Sequence, residues 1–132
     1  MNNKSPNLLA SFGFALQGIA HAFRTQRNFK VHLAVTALVI VAGIALGISV
    51  EQWAILVGMI ALVLQAELVN TALEAVVDRV APEFHAWAKV AKDCAAGAVF
   101  VCAFAAVIVG LLILGPRLFA LLGVMQGVAA VR

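Results

Sequence analysis

The sequence predicts an all-α membrane protein: an amphipathic helix on the bilayer surface followed by three transmembrane helices. Three observations carry this prediction. Of the 132 residues 64% are apolar and only 11% charged, against about 25% charged in soluble domains. Three segments, Val31–Val50, Trp53–Val77 and Ala95–Leu114, are long and apolar enough to span about 30 Å of hydrocarbon. The basic residues are also unevenly placed. Lys4, Arg24, Arg27 and Lys30 precede the first span, Arg79, Lys89 and Lys92 separate the second from the third, and only Arg117 and Arg132 follow. The positive-inside rule assigns the first seven to the cytoplasm, with the N-terminus inside and the C-terminus outside.

Taken in order, Met1–Pro6 is polar and expected to fray. Nothing in the first thirty residues has the layout of a cleaved leader. From Leu8 to Arg24, Phe12, Leu16, Ile19, Ala20 and Phe23 recur at helical spacing, while Gln17, His21 and Arg24 fall on other faces. Such a helix lies flat on the cytoplasmic leaflet or packs as a lid against the spans. Thr25–His32 reads as an interfacial link whose basic side chains can snorkel. The first span is plain scaffold. Ile48–Gln52 leaves room only for a tight turn, so spans one and two are antiparallel neighbours. Pro82 stops the second span, and Glu83, His85 and Lys89 fall in a short connection. The third span starts near Lys92–Asp93, shows a small-residue face at Ala95–Ala98, and is expected to end at Gly115-Pro116. The chain thus divides into a surface helix and linker (1–30), a three-span domain (31–115) and an interfacial tail (116–132).

Several function classes fall away. The cations are strung along membrane boundaries instead of forming a patch interleaved with exposed aromatics, so no nucleic-acid partner is expected. They suit anionic headgroups and a phosphorylated ligand. Cys94 and Cys102 lie about 12 Å apart along a helix, too far for a disulfide, and read as reduced apolar side chains.

The chemistry is concentrated in the second span. Glu67, Asn70, Glu74 and Asp78 fall at about 0°, 300°, 340° and 20° around a helix, one narrow stripe in otherwise apolar sequence. An acid in the hydrocarbon core costs at least about 2.5 kcal/mol, so two on one face imply use. Glu67 sits about 16 Å and Glu74 about 6 Å from Asp78 along the axis, which makes a ladder descending from the cytoplasmic surface. Carboxylates with phosphate oxygens suit a hard divalent cation, and the deeper acid suits general-base work. The plainer alternative is a helix–helix contact in which the acids pair with Lys92 and Arg79. His21, His32 and His85 do not cluster and read as interfacial polar residues. Gln65, on another face, reads as packing, Trp53 and Trp87 as interface anchors, and the glycines of spans one and two as close-packing devices.

The runs ELVNTALEAVVDRV (Glu67–Val80) and HAWAKVAKDCAAGAV (His85–Val99) resemble the signatures of the prokaryotic diacylglycerol kinase family, which includes undecaprenol kinases. The resemblance spans about residues 8–115 and rests on the pattern E-x-x-N-[TS]-[AL]-[IL]-E-x-x-x-D. It implies a small homotrimer of the inner (cytoplasmic) membrane that moves the γ-phosphate of Mg-ATP onto a lipid hydroxyl, of diacylglycerol or undecaprenol. No Gly-rich phosphate loop is present. The same resemblance implies that Glu67 is the base. Asn70 and Glu74 order the site and hold metal-bound phosphates, and Asp78, Lys92 and Asp93 contact or frame the nucleotide, Asp93 counted with Glu67 and Asn70 in the catalytic set. TQRNFKVH resembles the family's E-x-N-[FLM]-[RK]-[IV]-H stretch and adds Asn28 to the nucleotide-binding set. Gln26 stands where many members carry a metal-binding Glu, so Mg²⁺ is expected at Glu74 and Gln26, the latter offering an uncharged carbonyl oxygen. That departure keeps two competitors open: a lipid-phosphate hydrolase using the same acids, and a non-catalytic trimer conducting protons or cations.

Overall fold

A computed structural model describes residues 7–130; the polar start Met1–Pro6 and the last two residues lie outside them. Four helices follow one another: α1 (Leu8–Thr25), α2 (Arg27–Ala45), α3 (Val50–Val80) and α4 (Ala86–Ala130). Helix α1 starts where the Asn7 side chain accepts a hydrogen bond from the Ala10 N–H at 2.8 Å, an N-cap. It ends at Gln26, whose extended backbone (φ −98°, ψ 117°) is the sole break before α2. The expected link Thr25–His32 therefore contracts to one residue, and Arg27–Lys30 form the first turn of the α2 helix. No proline or glycine interrupts this stretch, so the chain re-enters the helix at once.

The α2–α3 turn lies at Leu46–Ser49, two residues earlier than the spacing implied. Gly47 adopts φ +59°, the left-handed conformation glycine takes without a Cβ penalty. The Ile48 N–H donates to Gly43 O and the Gly47 N–H to Ile44 O, the paired bonds of a Schellman ending. Ser49 then opens α3 through a capping box with Gln52. Gly47 is thus a turn residue, whereas Gly43 is a packing device. A Cβ on Gly43 would lie 2.7 and 2.9 Å from Trp53 Cη2 and Cζ2. Trp53, expected as an interface anchor, packs its ring over that glycine.

Helix α3 ends at Val80, and Ala81 leads into Pro82, whose ring disfavours helical backbone in the preceding residue. Helix α4 differs most from expectation. It begins at Ala86, six residues before Lys92, and runs through Pro116 to Ala130. The Gly115-Pro116 stop is therefore corrected, and residues 116–130 continue the third helix. Proline forfeits one backbone bond, but leucine-rich sequence continues on both sides beyond Gly115 and Arg117, and membrane helices tolerate proline where neighbouring groups satisfy the freed backbone.

Helices covering Arg27–Ala45, Val50–Val80 and Ala86–Gly123 are long and apolar enough to cross a membrane. Helices α3 and α4 form the main pairing, with α2 and α1 laid against them. At the turn end, Ile48, Leu56 and Ile113 form a core joined by Val39, Trp53 and Val109. There Arg117 Nη1 donates to Leu46 O at 3.0 Å and to Gly47 O, and Nη2 donates to Gln52 Oε1 at 3.0 Å. One guanidinium thus ties α4 to the carbonyls that α2 leaves free. At the opposite end, Ala22 and Phe29 are buried and seat α1 and α2. Large apolar residues elsewhere, such as Leu38, Phe100 and Leu111, face outward, as lipid-facing surfaces do.

Candidate functional site

Helical spacing sets the polar stripe on one face of α3, and packing against α2 and α4 grades its exposure. Glu67 is 2% exposed and Asn70 9%, while the Asp78 side chain is 65% exposed. The stripe therefore runs from a sealed acid to an open one. Thr71, buried between them, donates from Oγ1 to Glu67 O at 2.8 Å, so its hydroxyl is satisfied within the helix.

Each rung has a distinct partner. Glu67 Oε1 lies 3.2 Å from His32 Nε2 on α2, yet no hydrogen bond is aligned on that oxygen. Asn70 Nδ2 donates to Glu74 Oε1 at 3.2 Å, which turns the amide oxygen the other way. Asn70 Oδ1 is buried without a hydrogen-bond partner among the described residues. Such an atom forfeits about 1–3 kcal/mol of solvation, and in a site it marks a place for a donor or a cation. At the open end Lys92 Nζ donates to Asp78 Oδ1 at 2.8 Å, joining α4 to α3.

The remaining expected residues are less convergent. Asp93 pairs with Lys89 on its own helix, four residues away, and both side chains are 62% exposed. Asn28 is exposed on the first turn of α2, and Gln26 is half-buried at the α1–α2 break. Gln65, expected as packing, is exposed and lines a groove of about 200 Å³ between α3 and α4 with Leu62, Val69, Asn70, Ala98 and Cys102. The pairing of His32 with Glu67 was not anticipated. No signal local to the TQRNFKVH stretch could have found it, because the contact is made between α2 and α3.

A sequence profile described as "Prokaryotic diacylglycerol kinase" matches residues 13–114. The chain belongs to the prokaryotic diacylglycerol kinase family. Its relatives include a "Diacylglycerol kinase" of Synechocystis, 49% identical over 89% of this chain and 68% of that protein. An "Undecaprenol kinase" of Bacillus subtilis is 40% identical over 88% of this chain and 94% of its own length. A "Diacylglycerol kinase" of Pseudomonas aeruginosa is 35% identical over 71% and 76% respectively.

Membership in a diacylglycerol kinase family raises the question of whether these residues fit Mg²⁺. Among the described residues no three His, Cys, Asp or Glu side chains gather into a metal cluster. Mg²⁺ does not require one, since it takes one or two carboxylates and completes its shell with water and substrate phosphate. The Glu74 carboxylate is a hard oxygen donor of that kind, and the orphaned Asn70 Oδ1, turned the other way, is a second unpaired oxygen on the same stripe. The donor set fits.

Proposed function

We propose that this chain is an integral-membrane lipid kinase, transferring the γ-phosphate of Mg-ATP to the hydroxyl of diacylglycerol or undecaprenol. The observation that carries the reading is the graded acid stripe of a kinase-family member: a sealed Glu67, an Asn70–Glu74 pair with a spare oxygen, and an open Asp78–Lys92 pair. In this reading Glu67 accepts the hydroxyl proton as the lipid oxygen attacks. Burial keeps water from competing for the phosphoryl group. Asn70 holds Glu74 in place, and Glu74, with Gln26 as an uncharged donor, would hold Mg²⁺, which supplies charge neutralisation at the phosphate oxygens when bound. Lys92 turns from Asp78 to the nucleotide phosphates, and Asn28, Asp78 and Asp93 frame the nucleotide. Phosphoryl transfer asks mainly for such positioning and charge stabilisation.

In the same reading the N-terminus and the stripe's open end face the cytoplasm, where ATP is found, an orientation supported by the basic residues around α1, α2 and the α3–α4 connection. A homotrimer would cover part of the outward apolar surface and could complete a site from two chains. The test is direct: protein in micelles, labelled ATP, Mg²⁺ and either lipid alcohol. Labelled phosphatidic acid or undecaprenyl phosphate supports the proposal. Phosphate release from a phosphorylated lipid without ATP would instead establish the hydrolase, and acid-sensitive flux in liposomes without any ATP-dependent product would establish the conducting trimer.

A further inference from the structure

Glu67 reaches across from α3 to a titratable side chain on α2. Its Oε1 stands 3.2 Å from His32 Nε2, and the two side chains are 3% and 22% exposed. The imidazole therefore connects a closed oxygen to an open surface. Phe29, 2% exposed, fixes the face that α2 turns inward, and His32, three residues on, shares that face.

A sealed base has a disposal problem. Each turnover leaves a proton on Glu67, and the carboxylic acid cannot act again until that proton leaves, yet Oε1 is closed to solvent. The geometry points to His32 as the positioning residue that aims Glu67 and carries its proton out. The inference rests on the lipid-kinase reading. In the transfer the lipid oxygen bonds to the γ-phosphorus, and the bond to the β–γ bridging oxygen breaks with its electron pair departing on ADP. The hydroxyl proton passes to Glu67. His32, neutral with its ring proton on Nδ1, takes that proton at Nε2. The imidazolium gives up its Nδ1 proton to water, and exchange of the remaining ring proton from Nε2 back to Nδ1 through water restores the starting tautomer beside the carboxylate. Imidazole is the side chain suited to taking and giving protons near neutral pH.

Two variants test this in micelles with labelled ATP, Mg²⁺ and the lipid alcohol. His32→Gln keeps a polar side chain of similar reach but cannot pass a proton, and His32→Ala removes both. Both are expected to lose about tenfold or more in kcat, with KM for ATP and lipid unchanged, and added imidazole restores part of the loss in His32→Ala alone. A wild-type kcat in His32→Gln overturns the inference, as does a KM that rises in step with the loss of kcat. Should His32→Gln fail to fold, the imidazole response of His32→Ala decides: recovery supports the relay, and none overturns it. A folded wild type that makes no phosphorylated lipid removes the kinase reading and this inference together, whereas full-rate His32→Gln beside an active wild type removes only the relay.

Discussion

Lys92→Met separates a binding role from a structural one. The Lys92–Asp78 bridge spans 2.8 Å, but its side chains are 37% and 65% exposed. An ion pair so open to water and salt contributes little to stability. If holding α4 against α3 is all that Lys92 does, its loss lowers stability slightly and leaves catalysis intact. A lysine donating to a triphosphate is different, because a hydrogen bond to a charged group contributes about 1.5–3 kcal/mol. At about 1.4 kcal/mol per decade, its removal raises KM for ATP by roughly 10–150-fold. Steady-state kinetics at varied ATP and a thermal melt in the same detergent read both quantities. The expected result is a large rise in KM with a melt close to that of the parent. An unchanged KM with a strongly lowered melt would refute the reasoning, because it would make the bridge structural.

Other perturbations separate packing from chemistry. Gly43→Ala pushes a methyl to within 2.7 Å of the Trp53 ring and 3.1 Å of Ile48 Cδ1, an overpacking expected to cost about 1–3 kcal/mol and to appear as a lowered thermal midpoint. Arg117→Leu strips the Leu46 and Gly47 carbonyls of their side-chain donor and leaves Gln52 Oε1 only its Ser49 N–H, at about 1–3 kcal/mol. Because the clamp lies at the turn end, away from the acids, its KM values should stay at wild type. Gln26→Glu adds a charged oxygen at the position where the pattern that TQRNFKVH resembles has Glu. Titration of activity against Mg²⁺ should show half-activation at lower metal, and an unchanged curve would remove Gln26 from the metal site.

Much of the architecture was legible because bilayer physics acts on composition: long apolar runs and a proline at position 82 fix helices and boundaries. Pro116 was misleading because the stop rule describes helices in water, where an ending can be solvated. The α2–α3 turn was displaced because Gly47 looks like any other span glycine until its positive φ and the Ile48–Gly43 bond are seen. In the site, one-helix geometry was readable: residues 67, 70, 74 and 78 share a face by spacing alone. Contacts between helices were not, since nothing local to His32 says that it meets Glu67. Asp93 shows the converse. Its pairing with Lys89 is an i,i+4 relation visible in the sequence, overlooked beside the motif around it.

Glu67→Gln is the most direct examination of the acid at the heart of the site, since it keeps the side chain's shape and removes only its capacity to accept a proton. Measured with labelled ATP, Mg²⁺ and a lipid alcohol, it should cut phosphorylated product by about 10²–10⁴-fold while ATP still binds with near wild-type affinity. Turnover that survives the substitution, or nucleotide binding that disappears along with it, would contradict the role assigned to that carboxylate.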